Sequence, residues 1–271
     1  MAWQKLKSTK FYFWKPLLST TQELMIFSLL LLSLASATQA EDRIYLLAGQ
    51  SNMMGKGKIS EIPASYRQTP SNVKFYYQGR EKGLAQFAYF GPEIGFAHEV
   101  ARAFPNDTHI IIKQAATGST IERWLPGQAL YKGLLRQVGF SLPEEHAKKI
   151  DAIVWMQGES DARSADLAGQ YGGRLNRLIQ GLRNDLDSPN SLFILGQINP
   201  EDLAFTKVAQ VQASQRQAQQ ASSNTILVST EGLGKMYDHV HYNANGQLEL
   251  GKRFAKAYID QARKRGQLAA R

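Results

Sequence analysis

Two short segments, far apart in the chain, carry residue types that suit nucleophilic catalysis. The segment GQSNM at residues 49–53 places Ser51 directly after an apolar run, and the segment DHVH at 238–241 places Asp238 three residues before His241. A serine hydroxyl is a weak nucleophile that needs a base, and histidine, with a pKa of about 6.5, titrates near neutral pH. A neighbouring carboxylate fixes the tautomer of that histidine and stabilises the imidazolium. These three residues are candidate members of a serine-hydrolase triad.

The same residues have other interpretations. A serine after a strand also caps helices, so Ser51 taken alone is as consistent with a structural turn as with a nucleophile. The segment is not the G-x-S-x-G elbow, because Met53 occupies the place of the last glycine. His239 and His241 are spaced like a metal-binding pair with Asp238 as a third ligand, although no HExxH motif accompanies them. We expect His241 to be the base and no metal or cofactor to be required.

The remaining histidines are weaker candidates for a base. His98 falls within a helical pattern and His109 at the start of a strand, so we expect both to be structural. His146 lies in a polar stretch and is expected to be exposed on the surface.

Two further segments offer hydrogen-bond donors for a tetrahedral oxyanion. Gly118, within residues 115–124, has a backbone N–H that can point at the developing charge, and Gln157, in the segment QGESD at 157–161, has a side-chain amide. Removing one such donor typically costs about 3–4 kcal/mol of transition-state stabilisation. Each glycine alone is also typical of an ordinary turn.

The elements that must position these segments alternate along the chain. Apolar runs predict strands and helical spacing predicts helices, as follows: strands 44–48, 73–77, 109–113, 150–156, 192–195 and 225–229; helices 94–104, 165–186, 203–222 and 244–265. This alternation predicts an α/β fold, a three-layer sandwich with a central parallel sheet. Functional residues in such sheets lie in the loops after the carboxyl ends of the strands. We therefore expect four loops to meet at one edge: 49–55, 114–124, 157–161 and 230–242.

Composition excludes several classes of protein. The 271 residues include no cysteine, which rules out disulfide scaffolds, iron–sulfur clusters and thiol catalysis. The formal net charge is +9, with many basic residues near the C-terminus. We expect these to form the solvated face of a helix, so no nucleic-acid partner is predicted.

The N-terminal residues have the pattern of a targeting sequence. Residues 24–37 are the only long apolar run and are too short to span a bilayer, which takes about 20 residues as a helix. Basic residues precede this run and small residues follow it, the pattern of a secretory signal peptide. We predict a signal peptide at residues 1–40, either cleaved or retained as an anchor, and one catalytic domain at 41–271. The protein is expected to be exported to the periplasm or the exterior, with no stable membrane insertion after cleavage.

Taken together, these motifs resemble the SGNH-type hydrolases, and more closely the branch of sialate O-acetylesterases and acetyl xylan esterases (carbohydrate esterase family six). The matching residues span roughly 43–260: GQSNM at 49–53 with Gly55, GPE at 91–93 with Phe96 and Ala97, Gly118 with Ile121 and Trp124, Trp155 with QGESD at 157–161, and Asp238 with His241. The resemblance implies a flavodoxin-like architecture.

The resemblance also assigns roles to these residues. It implies that Ser51 is the nucleophile, His241 the general base and Asp238 its orienting acid. The N–H groups of Ser51 and Gly118 and the side chain of Gln157 would form the oxyanion hole. The supporting residues would be Gln50, Asn52 and Glu159.

We therefore predict a serine esterase that removes acetyl groups from a carbohydrate partner through an acyl-enzyme. The acetyl ester of a sugar comes from the resemblance alone. The alternatives are a general short-chain or lipase-like esterase and a non-catalytic carbohydrate-binding relative. Phe90, Phe96 and Trp124 are expected to close the acyl side of the pocket and so favour acetate. The sequence does not distinguish among acetylated sugars and gives no oligomeric state.

Overall fold

The computed structural model describes residues 40–142 and 149–269. The predicted signal peptide therefore lies outside the described residues except at Ala40, and so does His146. Within the described ranges, every helix is too short or too polar to cross a membrane.

One seven-stranded sheet organises the described residues. The strands are β1 Asp42–Gly49, β2 Gly57–Lys58, β3 Val73–Tyr77, β4 Arg80–Lys82, β5 Tyr89–Phe90, β6 Thr108–Ala115, β7 Ala152–Met156, β8 Leu192–Gly196 and β9 Thr225–Val228. The sheet has the order β4-β3-β6-β1-β7-β8-β9, while β2 and β5 form a small antiparallel pair. All neighbours in the sheet are parallel except β4, which pairs antiparallel with β3 at the edge. The predicted parallel sheet is confirmed, with this antiparallel edge strand added.

The order of the strands shows where a site should lie. The five strands β6-β1-β7-β8-β9 follow the flavodoxin-like order 2-1-3-4-5. In this order the connections leave β1 toward opposite sides, so a crevice opens between the carboxyl ends of β1 and β7. Every residue of β7 and β8 is buried, which is typical of parallel strands covered on both faces.

Helices flank the sheet and complete the three layers. Their bounds are α1 Ser51–Met54, α2 Glu93–Ala103, α3 Ala129–Ser141, α4 Ala165–Asp185, α5 Val208–Gln220 and α6 Ala244–Ala269. Helix α2 packs against α6, and α4 packs against α5. The core consists mainly of strand side chains with the apolar stripes of these helices.

Several elements differ from the sequence prediction, among them α3, α5 and β7. Helix α3 was not predicted, because Gly133 and Gly139 lower the helix propensity of this segment and its buried residues form only a narrow line. Helix α5 begins at Val208 rather than at residue 203, because a turn at Asp202, whose carboxylate accepts the Ala204 N–H at 2.7 Å, precedes it. Strand β7 begins at Ala152, two residues later than predicted.

Candidate active site

The serine lies at the carboxyl end of the central strand β1. Gln50 donates its N–H to the Met156 carbonyl at 2.9 Å, and Ser51 then begins helix α1. Gly49 makes this geometry possible, because a Cβ there would overlap the backbone of Met156 on the neighbouring strand. As the first residue of a helix, Ser51 has an N–H with no intrahelical acceptor, and within the described residues this N–H makes no backbone hydrogen bond. It is free to receive an oxyanion.

The acid and the histidine form a direct hydrogen bond. His241 Nδ1 lies 2.6 Å from Asp238 Oδ2, while Asp238 Oδ1 accepts the N–H groups of Val240 at 3.0 Å and His241 at 2.9 Å. Burial raises the pKa of Asp238, but these hydrogen bonds outweigh it and place the pKa below its ordinary value. Asp238 is therefore a carboxylate at neutral pH. With Nδ1 held by the acid, Nε2 is the nitrogen left to act as a base.

Asn52 connects the histidine loop to the serine helix. Its Oδ1 accepts the Tyr242 N–H at 3.1 Å, and its Nδ2 donates to the Val240 carbonyl at 3.1 Å. Tyr242 and Val240 are the two neighbours of His241, and Asn52 directly follows Ser51. One side chain thus holds the backbone on both sides of His241 beside the serine.

The same amide also binds a buried carboxylate. Asn52 Nδ2 donates to Glu159 Oε1 at 2.7 Å, and Glu159 is almost completely buried. Burial raises the pKa of Glu159, and the bond from Asn52 opposes that rise. Glu159 Oε2 has no hydrogen-bond donor among the described residues. The supporting residues Asn52 and Glu159 are therefore in contact with each other, next to the serine.

Gly118 presents an open backbone donor. Its φ is +68°, a left-handed conformation that favours glycine, and the residue is exposed with open space where a Cβ would be. Its N–H makes no backbone hydrogen bond within the described ranges. Gly118 follows β6, and β6 pairs with β1 so that Ala115 lies opposite Gly49. The Ser51 and Gly118 N–H groups thus lie on loops that leave adjacent strands.

The side chain of Gln157 is buried below the surface of the site. It is completely buried, and its Nε2 donates to the Ser119 carbonyl at 3.0 Å and to Asp161 Oδ2 at 2.5 Å. These two acceptors account for both amide hydrogens, so in this structure the amide braces the loop that carries Gly118. The direct oxyanion role of Gln157 stays a prediction.

Gln50 and Asp161 tie the surrounding loops together. Gln50 Oε1 accepts the N–H groups of Gly158 at 3.4 Å and Ser160 at 3.3 Å, and Asp161 Oδ2 accepts the Ile121 N–H at 3.1 Å. Burial raises the pKa of Asp161 to about 6. The sequence marked Asp161 only as part of the QGESD motif. Its contacts with the Ile121 N–H and the Gln157 amide become visible only in the structure.

The other histidines differ in setting. His239 is exposed with a left-handed φ of 55°, and its ring makes no hydrogen bond with a described residue. His109 is fully buried, with Tyr45 Oη 3.1 Å from its Nδ1. His98 is half-buried on α2, and burial lowers its pKa. Across residues 40–142 and 149–269, no three His, Asp or Glu side chains are grouped to hold a metal ion.

A buried ion pair under the serine helix was not predicted. Lys113 Nζ lies 2.7 Å from Glu93 Oε2 and donates to the Met54 carbonyl at 2.9 Å, at the end of helix α1. Glu93 Oε1 accepts the Gly91 N–H at 3.0 Å. The sequence marked Glu93 only within the GPE motif. A lysine at the end of an Ile-rich strand gave no sign of such a partner.

The three aromatic residues expected around the acyl group belong to the core instead. Phe90, Phe96 and Trp124 are each at most 1% exposed. The Trp124 ring packs edge-on against Trp155 at 5.3 Å, and Phe96 packs against Tyr45 at 4.9 Å. The prediction that these rings close the acyl pocket is wrong, because they fill the space between sheet and helices.

Comparison with known proteins defines the class. The probable carbohydrate esterase At4g34215 of Arabidopsis thaliana is 27% identical over 245 residues, which cover 80% of this chain and 90% of that protein. An X-ray structure of the At4g34215 protein superposes with a TM-score of 0.71 at 25% identity, covering 80% of this chain and 98% of that one. The crystal structure of NanS shares the fold, with a TM-score of 0.69, 14% identity and coverage of 83% and 99%. These likenesses show that the chain shares its fold with a probable carbohydrate esterase.

A match to a family model identifies the family of the chain. The model described as "Carbohydrate esterase, sialic acid-specific acetylesterase" matches residues 41–260. Because this match covers most of the chain, the protein belongs to that family of carbohydrate esterases. The predicted family resemblance and the predicted fold class are both confirmed.

Proposed function

We propose that the protein hydrolyses O-acetyl esters of carbohydrates, with Ser51 as nucleophile, His241 as general base and Asp238 as its orienting acid. One observation carries this proposal. The hydrogen-bonded pair of Asp238 and His241 is held on both sides of the histidine by Asn52, the residue that follows Ser51.

The reaction proceeds in two halves. Ser51 Oγ attacks the ester carbonyl carbon while His241 Nε2 takes the hydroxyl proton. The tetrahedral intermediate collapses, the C–O bond to the sugar breaks, and His241 returns the proton to the departing sugar oxygen. A water molecule, deprotonated by His241, then attacks the acetyl-enzyme, and acetate leaves as Ser51 regains its proton. Asp238 stays ionised throughout and stabilises the imidazolium.

The oxyanion is bound by the N–H groups of Ser51 and Gly118. Neither N–H donates to a backbone carbonyl within the described residues. The two groups belong to segments that follow the carboxyl ends of the adjacent strands β1 and β6. The amide of Gln157 supports the second donor by holding the Ser119 carbonyl. Direct donation by Gln157 to the oxyanion would require its amide to leave Ser119 or Asp161.

The acetylated carbohydrate substrate is supported by the family to which the chain belongs. The test is acetate release from a panel of acetylated sugars and from an aryl acetate, comparing the wild type with Ser51→Ala. We expect wild-type turnover of at least one acetylated sugar and a loss on the order of 10⁶ in kcat for the variant. Residual activity within tenfold of wild type would reject Ser51 as nucleophile, and turnover of the aryl acetate alone would favour a general esterase.

We also propose that residues 1–40 export the protein. The support is the sequence pattern alone: basic residues, an apolar run and small residues before position 41. N-terminal sequencing of the protein from fractionated cells tests this. A mature protein that begins near residue 41 outside the cytoplasm is expected, and a full-length cytoplasmic product would contradict export.

A further inference from the structure

One buried carboxylate joins two loops at the candidate active site. Asp161 is completely buried and begins a short 3₁₀ turn after β7. Its Oδ2 accepts the Ile121 N–H at 3.1 Å and a hydrogen of the Gln157 amide at 2.5 Å. Ile121 lies in the segment after β6, whereas Gln157 directly follows β7. A single side chain therefore ties the two segments together.

This bridge crosses the end of the strand that leads to the serine. In the sheet, β6 and β7 are the two neighbours of β1, one on each side. The segments that leave them start about 10 Å apart, which is twice the spacing between strands. Ser51 lies two residues after the end of β1. Asp161 thus links the segments that follow the strands on both sides of the nucleophile's strand.

Gln157 extends the bridge to the residue beside Gly118. Its Nε2 donates to the Ser119 carbonyl at 3.0 Å as well as to Asp161, while its Oε1 has no hydrogen-bond donor among the described residues. The two acceptors alone therefore set the orientation of this amide. Without the Asp161 carboxylate, the amide would keep one acceptor, and its hold on Ser119 would weaken.

Gly118 depends on this support from its neighbours. It is exposed, its φ is +68°, and open space lies where a Cβ would be, so it has no packing contact of its own there. The next residue, Ser119, is held by the bond from Gln157 and by its own Oγ, which donates to the Ala116 carbonyl at 2.7 Å. The direction of the Gly118 N–H consequently follows the position of Ser119.

The charge of Asp161 excludes a direct role at the oxyanion. A carboxylate accepts hydrogen bonds and repels a developing negative charge, so it does not stabilise an oxyanion by contact. The groups that the Asp161 carboxylate binds, the Ile121 N–H and the Gln157 amide, belong to the two loops. A contribution of Asp161 to catalysis must therefore pass through those loops.

We propose that Asp161 is a positioning residue of the oxyanion hole, which holds the Gly118 loop and the Gln157 amide in the arrangement that the tetrahedral intermediate requires. This inference rests on the proposed function, because the oxyanion forms only if Ser51 attacks an ester. It goes beyond that function in assigning part of the catalytic rate to a residue outside the triad that acts through its neighbours.

The experiment compares binding of the substrate with binding of an analogue of the intermediate. An aryl acetate gives kcat and KM at about pH 8, where Asp161, with a pKa of about 6, is ionised. Methylboronic acid gives an inhibition constant. Its boron bonds to Ser51 Oγ and becomes a tetrahedral anion, and its methyl group matches that of acetate. The variants are Asp161→Ala and Asp161→Asn.

The matched control is Asp107→Ala, which removes another buried carboxylate that joins separate segments. Asp107 accepts the Arg43 Nε–H at 2.6 Å and the Glu41 N–H at 3.1 Å. It lies just before β6, at the amino end of that strand and so away from the catalytic edge. Its loss should lower stability without changing kcat per folded molecule or the inhibition constant.

We expect Asp161→Ala to lower kcat about a hundredfold, similar to the loss of one oxyanion donor, and to weaken inhibition by methylboronic acid by a similar factor. KM should change less than about threefold, because the interaction is made mainly in the transition state. Asp161→Asn keeps an oxygen that accepts one of the two bonds, so its kcat should fall only about tenfold.

A merely structural role would give a different result. Asp161→Ala would then keep kcat per folded molecule and the inhibition constant within about twofold of the wild type, as Asp107→Ala should, or would lower kcat without weakening inhibition. Either result overturns the inference while the esterase stands. If Asp161→Ala does not fold, Asp161→Asn decides by the same criteria, with thermal unfolding giving the folded fraction of each variant. If the wild type releases no acetate from the aryl acetate or from any acetylated sugar, the proposed function fails and the inference fails with it.

Discussion

Two acid–base pairs lie near the carboxyl edge of the sheet, nearly equal in length but different in surroundings. His241 Nδ1 and Asp238 Oδ2 are 2.6 Å apart, and Lys113 Nζ and Glu93 Oε2 are 2.7 Å apart. The side chains of the first pair are 24% and 32% exposed, whereas each side chain of the second is 4% exposed. A pair that water and substrate reach can take up and release a proton in each cycle. A pair sealed in the core is out of reach of water and substrate, and its role is to hold the end of the serine helix through the Met54 carbonyl.

The largest effect should come from the exposed pair. We expect His241→Ala to lower kcat by on the order of 10⁴ or more, because no other group then takes the serine proton, while the free energy of unfolding changes little. His239→Ala is the matched control on the same loop and should retain nearly full activity. Steady-state kinetics on one acetate ester decides this, and equal losses for the two variants would contradict the assignment of the base.

Breaking the buried pair should lower the stability of the protein, whereas substituting His241 should lower its activity. Lys113→Met leaves the Glu93 carboxylate buried without its cation, so we expect the free energy of unfolding to fall by about 3–5 kcal/mol. The double variant Lys113→Met/Glu93→Leu removes both charges and should recover much of that loss. Urea denaturation measures both variants. If Lys113→Met unfolds no more easily than wild type, the pair is not structural.

Substitution of Asn52 should affect both activity and stability, since its side chain binds both the histidine loop and the buried carboxylate of Glu159. We expect Asn52→Ala to cost about 2 kcal/mol of stability and roughly tenfold to a hundredfold in kcat, because His241 loses its anchors and Glu159 its donor. The control is Asn72→Ala, which removes an amide that donates to the Asp107 carbonyl at 3.1 Å, near the amino ends of the strands. That variant should lose stability without losing kcat per folded molecule.

The smallest predicted effect is a pH dependence of stability from Asp161. Burial raises its pKa from an ordinary 3.8 to about 6, so the folded state binds a proton more tightly than the unfolded state. The contribution of Asp161 to the free energy of unfolding therefore rises as the pH falls from 7 to 4, by about 2 kcal/mol. The variant Asp161→Asn should lack this rise. Denaturation at several pH values compares the two proteins, and parallel pH curves would contradict the raised pKa.

The strands could be predicted from the sequence because buried parallel strands are continuous apolar runs. Residues 73–77 match β3 without error, and the four predicted loops do follow the carboxyl ends of parallel strands. Helix α3 was missed because Gly133 and Gly139 lower its helix propensity. The edge strand β4 consists of charged residues, so no hydrophobic pattern marks it.

The site could be predicted only as a set of residue types. The pairing of Asp238 with His241 follows from their spacing, and the structure places them in contact. The orientation of Gln157 depends on the Ser119 carbonyl, 38 residues away, as well as on Asp161 nearby. The bridge made by Asn52 depends on a partner 190 residues away, which no local pattern encodes. The aromatic residues failed as a guide because ring size predicts burial as readily as contact with a ligand.

The bond between Asn52 and Tyr242 spans 190 residues. It cannot form until nearly all of the catalytic domain has been synthesised, whereas β1 and β6 can pair once residue 115 is available. At a translation rate of about 5–20 residues per second, these two events are separated by several seconds or more on a nascent chain. Contacts of such high sequence separation also form slowly during refolding. Recovery of esterase activity after denaturation should consequently lag behind recovery of secondary structure, so that catalysis itself reports the closing step of folding.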